Sequence, residues 1–224
     1  MTAASLESIA MTGVNIRSGR PEDAPFLAWA VLTASRGHLS RGWFDIALNR
    51  PESDCLTFLT QLTKTATVSL WHYSRFLIAE DDAFPIATIS AIHEADVYPT
   101  TPVAISEAVD TLGLPSEERT LIWERGCYAF TCTTPPCADC LVIENVATLP
   151  NHRNRGYSSA LLEQALENGR RQKLGEAQIT FLIGNHVAER LYVKAGFRFA
   201  NEWRDSTFRA KAGSPGLRRF VRPL

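Results

Sequence analysis

One stretch restricts the possible folds of this chain more than any other: Leu141 to Leu162, LVIENVATLPNHRNRGYSSALL. It opens with an apolar run rich in β-branched residues, the pattern of a buried strand. Pro150 stops that strand, and a polar loop from Asn151 to Arg155 follows. Gly156 then leads into a helix whose apolar positions Ala160, Leu161, Ala165 and Leu166 fall at helical spacing. A strand, a basic loop closing on glycine and a helix together make an anion cradle. The first N–H groups of a helix have no partner inside it and point at whatever lies ahead of the N-terminus. Gly156 allows close approach to the backbone, and Arg153 and Arg155 add full charges. The arrangement suits a pyrophosphate. It has neither the three glycines of a dinucleotide fingerprint nor the Gly-Lys-Ser/Thr of a phosphate-loop NTPase.

The rest of the composition narrows the class. With 224 residues, 45% hydrophobic and 21% charged, one domain is expected, alone or with an insertion. A formal net charge of -1 supplies no basic field for nucleic acid or an anionic membrane. No apolar run reaches the ~18 residues of a membrane span, and the opening MTAASLESIAMTG lacks the basic and apolar regions of a secretory signal. A cytoplasmic enzyme or binding protein is the expectation. Of five cysteines, Cys127, Cys132, Cys137 and Cys140 cluster. The spacing of Cys137 and Cys140 suits zinc, but no second close pair completes a site, so no metal is expected and free thiols are. Cys55 stands alone, as a core residue would.

Taken in order, residues 1–13 form a flexible lead and residues 14–224 a single domain. Val14 to Arg17 is a short strand; Pro21, Glu22 and Asp23 start a helix carrying Phe26, Trp29, Ala30 and Thr33. A break with two Arg-Gly pairs precedes a second helical piece, and Cys55 to Lys64 is a third. Phe76–Glu80 and Phe84–Ile92, around the turn Asp81–Ala83, form a hairpin. An insertion of about residues 94–140 carries helices at Val103–Leu112 and from Ser116 to Arg125. After the Gly156 helix come a strand, Ala177–Ile183, a turn at Gly184-Asn185, a helix, Val187–Ala195, and a strand, Phe197–Ala200. Phe208–Ala210 and Phe220–Arg222 are expected as further strand pieces. That order predicts an α/β (α+β) domain with a mixed central sheet flanked by helices.

Two segments carry a family resemblance. Arg153-x-x-Gly156-x-Ser158 resembles the pyrophosphate loop of the GNAT N-acetyltransferases. LIGNHVAERLYVKAGFRF matches that family's second motif at Asn185, Ala188, Leu191, Tyr192, Gly196 and Phe197. The resemblance covers Leu141 to about Ala200 and implies a GNAT-like sheet, here with a helical insertion between the third and fourth strands.

The resemblance implies acetyl-CoA as cosubstrate and an amine of a small molecule or protein as acceptor. A bulge or splay next to the central strand would leave backbone groups of Val146, Ala147 and Thr148 free to pair with the pantetheine arm, and one of their N–H groups would polarise the thioester carbonyl. The amides of Asn154, Arg155, Gly156, Tyr157, Ser158 and Ser159, with the Arg153 charge, would hold the pyrophosphate. Asn185 would make a polar contact to the pantetheine or simply cap its helix. Tyr192 would protonate the departing thiolate. The family's frequent catalytic glutamate falls at Thr180, which cannot serve as a base. Glu144, in an apolar strand, is the nearest carboxylate for that role; its alternative is an ion pair with an arginine such as Arg125. Asn145 should point to the opposite face. His38, His72 and Tyr73 are substrate-side candidates or plain surface residues, and His152 and His186 are expected in solvent. The arginine-rich end, GLRRFVRPL, is a strand with solvated arginines, lining the acceptor entrance or a homodimer contact. Two other classes stay open: a non-catalytic acyl-CoA-binding regulatory domain, and a zinc-stabilised interaction module.

Overall fold

The protein is described by a computed structural model covering residues 14–93, 99–132, 137 and 139–224; the expected N-terminal lead lies outside these residues. Seven strands form one sheet: β1 (Asn15–Ser18), β2 (Phe76–Asp81), β3 (Phe84–His93), β4 (Cys140–Thr148), β5 (Glu176–Leu182), β6 (Arg198–Arg204) and β7 (Gly216–Pro223). Their order is β1-β2-β3-β4-β5-β7-β6. Only β4 and β5 pair in parallel; the other neighbours are antiparallel. The sheet is therefore mixed, as the order of elements predicts.

Helices cover both faces because successive side chains of each strand point to opposite sides and both sets are apolar. On one face lie α1 (Ala24–Arg36), α2 (Trp43–Leu48) and α3 (Glu52–Leu62) with α4 (Thr101–Thr111) and α5 (Glu118–Gly126) of the insertion. Leu27, Val31, Phe44, Leu59, Ile105 and Ile122 pack there with Phe76 and Ile78 of β2. The insertion between β3 and β4 is thus part of the main core. On the other face α6 (Tyr157–Arg171) and α7 (His186–Lys194) bury Leu161, Leu162, Ala165, Leu166 and Tyr192 against Ile89, Ile143, Ile179, Phe181 and Phe220.

Four expectations need correction. Phe208–Ala210 is helical, within α8 (Ser206–Ala212). Asp205 explains the difference: its carboxylate accepts the Phe208 N–H at 2.8 Å, an N-cap that starts a helix. Phe208 then packs on buried Tyr128 and Cys132. Cys137 and Cys140 are joined in a disulfide rather than free, with Cα atoms 5.5 Å apart; Cys55, Cys127 and Cys132 remain thiols. The C-terminal arginines are not solvated. Arg218 pairs with Glu189 and Glu202, and Arg222 with Glu163. His152 is half-buried, with Nδ1 3.8 Å from an Asp81 carboxylate oxygen.

Candidate active site

The site starts from an irregularity in β4. Ser90 of β3 stands opposite Glu144 and Thr88 opposite Ala147. One β3 residue, Ile89, therefore spans two of β4, Asn145 and Val146, which is a one-residue bulge. Asn145 has φ 51, a left-handed conformation that asparagine tolerates better than other non-glycine residues. Its Nδ2 donates to Ser90 Oγ at 2.9 Å. Directly opposed residues share a face, so Asn145 reaches the face of Glu144 and not the opposite one; the bulge breaks the alternation expected from the sequence.

A splay follows. The parallel β4–β5 pairing runs from Cys140 opposite Glu176 to Ile143 opposite Ile179 and stops, although β4 continues to Thr148 and β5 to Leu182. Among the described residues, no strand lies beside β4 on its β5 side from Asn145 to Thr148. These residues include Val146, Ala147 and Thr148, the segment expected to receive the pantetheine arm.

The cradle lies directly after that edge. A single 3-10 turn, Pro150–His152, links β4 to the loop. Asn154 has φ 61 and Gly156 φ 85, so the chain turns twice through left-handed conformations before the helix. Gly156 is the N-cap of α6. The Ala160 N–H donates to the Gly156 carbonyl at 3.0 Å, which leaves the Tyr157, Ser158 and Ser159 amides without intrahelical partners. Asn154, Arg155 and Gly156 are exposed. Arg153 Nε donates to the Thr148 carbonyl at 3.2 Å, and the Thr148 and Ser158 hydroxyls lie 2.8 Å apart. Ser158 thus ties the strand end to the helix start.

Tyr192 is on α7, which covers the same face of the sheet as α6. It is 5% exposed and packs on Phe181 and Phe197 with ring centroids 5.4 and 6.2 Å away. Its hydroxyl has no hydrogen-bond partner among the described residues. Burial pushes its pKa well above the ordinary tyrosine value, so the group is a neutral donor at physiological pH. Asn185 caps α7, its Oδ1 accepting the Ala188 N–H at 3.2 Å; its Nδ2 faces Gly37 in the turn after α1. His38 of that turn, exposed at the surface, lies against Gly184. Glu144 is half-buried where the splay opens, on the face covered by α1. Arg125 pairs with Glu118 at 3.6 Å. His72 is buried and hydrogen-bonded to Ser74, so it is no surface ligand. Among the described residues, no group of histidines, cysteines and carboxylates has the arrangement of a metal site, and no helix is long and apolar enough to cross a membrane.

The bulge or splay that the family resemblance implies beside the central strand is present; sequence reasoning does not reach Ser90 or the turn of Asn145 onto the face of Glu144. The local sign of where the bulge falls is an asparagine within an otherwise strand-like run.

A splayed mixed sheet with an anion cradle beside the splay defines a class of coenzyme-binding acyltransferases. The sequence profile of the acetyltransferase (GNAT) family matches residues 46–197, and the chain belongs to that family. Solved structures share the fold. An acetyltransferase superposes with a TM-score of 0.69 at 16% identity, over 94% of this chain and 99% of that one. An N-acetyltransferase from Staphylococcus aureus Mu50 gives 0.68 at 21% identity, over 93% and 100%. Ard1 from Thermoplasma volcanium gives 0.52 at 14% identity, over 94% and 97%. No curated protein matches the chain in sequence.

Proposed function

We propose that the protein transfers the acetyl group of acetyl-CoA to a primary amine by direct attack, with both substrates bound. The bulge at Asn145–Val146, opening a strand edge that leads straight into the Gly156 cradle, carries this reading. The main chain of Val146, Ala147 and Thr148 receives the pantetheine. The amides of Asn154 to Ser159, with Arg153, receive the pyrophosphate. An N–H group of the bulged segment polarises the thioester carbonyl, so that charge developing on its oxygen meets a fixed donor.

An acceptor amine has a pKa near ~10 and is mostly protonated at neutral pH, so a base must take a proton. Glu144, directly or through water, fills that role; Thr180 cannot. The deprotonated amine attacks the carbonyl carbon with its lone pair and the C–S bond breaks; the thiolate takes the proton of the Tyr192 hydroxyl, and the second proton lost by the amine nitrogen restores that hydroxyl through solvent. Burial keeps the Tyr192 hydroxyl in its neutral, proton-donating form. The test is a panel of primary amines incubated with acetyl-CoA, read as free thiol released. Amine-dependent release is expected, and its absence across the panel would reject the transferase assignment.

Thr180, where a catalytic carboxylate is frequent, favours a second reading: an acyl-CoA-binding regulatory domain of the same fold. CoA-induced thermal stabilisation without amine-dependent thiol release would select it.

A further inference from the structure

We propose that the acceptor is an amino-carboxylate whose carboxylate is held by Arg219. This inference rests on the transferase reading and names the substrate class of the same site.

The sheet places four polar side chains in one row. Thr180 of β5 pairs with Arg219 of β7, and Arg219 pairs with Asn201 of β6. Glu144 is level with Thr180, one step beyond the last β4–β5 pair, Ile143 with Ile179. Alternation puts the row on one face. Ala177, Ile179 and Phe181 pack towards α6 and α7, which turns Gln178, Thr180 and Leu182 the other way. Arg218 and Arg222 contact residues of α6, α7 and the turn after α7, which turns Arg219 towards the Glu144 side.

Arg219 differs from its two arginine neighbours. Arg218 and Arg222 are each neutralised by carboxylates. Arg219 has no ion pair among the described residues. It is fixed instead by neutral groups: Nε donates to Asn201 Oδ1 at 3.1 Å and Nη1 to Gln178 Oε1 at 3.3 Å. Its guanidinium carbon lies 5.6 Å from the centroid of the Trp203 ring. Gln178, at 3% exposure, is a fixed support. Two amides and an aromatic face orient the cation without cancelling its charge. The two bonds described leave Nη2 uncommitted, and a guanidinium has five donors in a planar fork that matches a carboxylate. A half-buried arginine oriented but not neutralised is arranged to receive an anion.

Spacing selects the anion. Neighbouring strands lie ~4.8 Å apart, so the Thr180 side of the splay is about one strand spacing from Arg219 and the Glu144 side, on β4, is about two or more. An amine at the splay and a carboxylate at the guanidinium then belong to one small molecule, with a few bonds between the two groups.

The experiment compares matched acceptors, each amino acid against its carboxamide and its decarboxylated amine, in wild type and in Arg219→Gln and Arg219→Lys. A charge-assisted contact of this kind corresponds to roughly 10- to 100-fold in acceptor kcat/KM. Wild type is expected to prefer the carboxylates by that factor. Arg219→Gln should lose the preference through acceptor KM, with a far larger loss on carboxylate acceptors than on carboxylate-free amines and the acetyl-CoA KM unchanged, and Arg219→Lys should restore part of it. Wild-type transfer to carboxylate-free amines as efficient as to amino acids overturns the proposal whatever the variants do. So does an equal loss on both acceptor types in Arg219→Gln. CoA binding with no transfer to any acceptor rejects the transferase reading itself and the proposal with it.

Discussion

The two halves of the candidate site are made of different material. The coenzyme half is main chain from one continuous segment, Asn145 to Ser159: a bulged edge, two left-handed turns and a helix N-terminus. The proposed acceptor half is side chain from separate strands, Glu144 of β4, Thr180 of β5 and Arg219 of β7, on the face where α1 packs against β4. Main-chain donors recognise what all acyl-CoA thioesters share. Side chains drawn from distant parts of the chain can be exchanged one at a time, so acceptor choice can change while the coenzyme grip stays. Variants confined to either half test that division.

The largest effect is expected at the cradle. Gly156 has φ 85, where a β-branched side chain is badly strained, and its surface is where the ligand approaches. Gly156→Val should abolish CoA-induced thermal stabilisation while the unliganded protein stays folded, since Gly156 is exposed. Retained stabilisation would remove the cradle from the coenzyme half. Next comes Tyr192→Phe, expected to lower turnover by about 10²–10⁴-fold with acetyl-CoA affinity nearly unchanged, because the ring keeps its packing on Phe181 and Phe197. An unchanged rate would withdraw the acid role.

The same contrast decides how much of the site is legible in the sequence. The coenzyme half is contiguous, so Pro150, Arg153, Gly156 and the helix period are enough to place it along the chain. The acceptor half depends on register. Nothing local brings Arg219 beside Thr180, since that pairing requires β7 to insert between β5 and β6. The exact place of the bulge is illegible for a related reason. Whether Asn145 keeps strand alternation or breaks it depends on the β3 partner, Ser90. Phe208 misleads because Phe-Arg-Ala has no periodicity of its own; the Asp205 cap three residues earlier sets the outcome. The hairpin and the helices of the insertion are legible because their apolar patterns agree with their burial.

A smaller, graded effect is expected where the halves meet. Asn145→Val puts a β-branched residue at φ 51 and removes the bond to Ser90. A left-handed residue costs roughly 1–2 kcal/mol, which the local hydrogen bonding of asparagine offsets and valine cannot, so urea unfolding should show a loss of up to about that size. If the bulge serves the coenzyme half, acetyl-CoA KM should rise more than acceptor KM. An equal rise in both would mean that the bulge belongs to neither half alone.

The smallest effect concerns pH and the helical layer beneath the acceptor half. His72, at the approach to β2, is 6% exposed. Its Nδ1 accepts the Ser74 N–H, a role for the neutral ring. Burial first, and the Arg75 charge second, lower its pKa from the ordinary value. A lowered folded-state pKa means that the unfolded chain binds the extra proton first as pH falls. The stability linked to His72 is therefore complete above the unfolded pKa of about 6.5 and is lost as pH falls through the folded one. The urea midpoint of wild type should drop between about pH 7.5 and pH 5.5, and His72→Gln should flatten that slope. CoA-induced stabilisation of His72→Gln at neutral pH should match wild type if the halves are independent. A coenzyme response that changes with His72 would show that the helical layer and the cradle are coupled through the sheet.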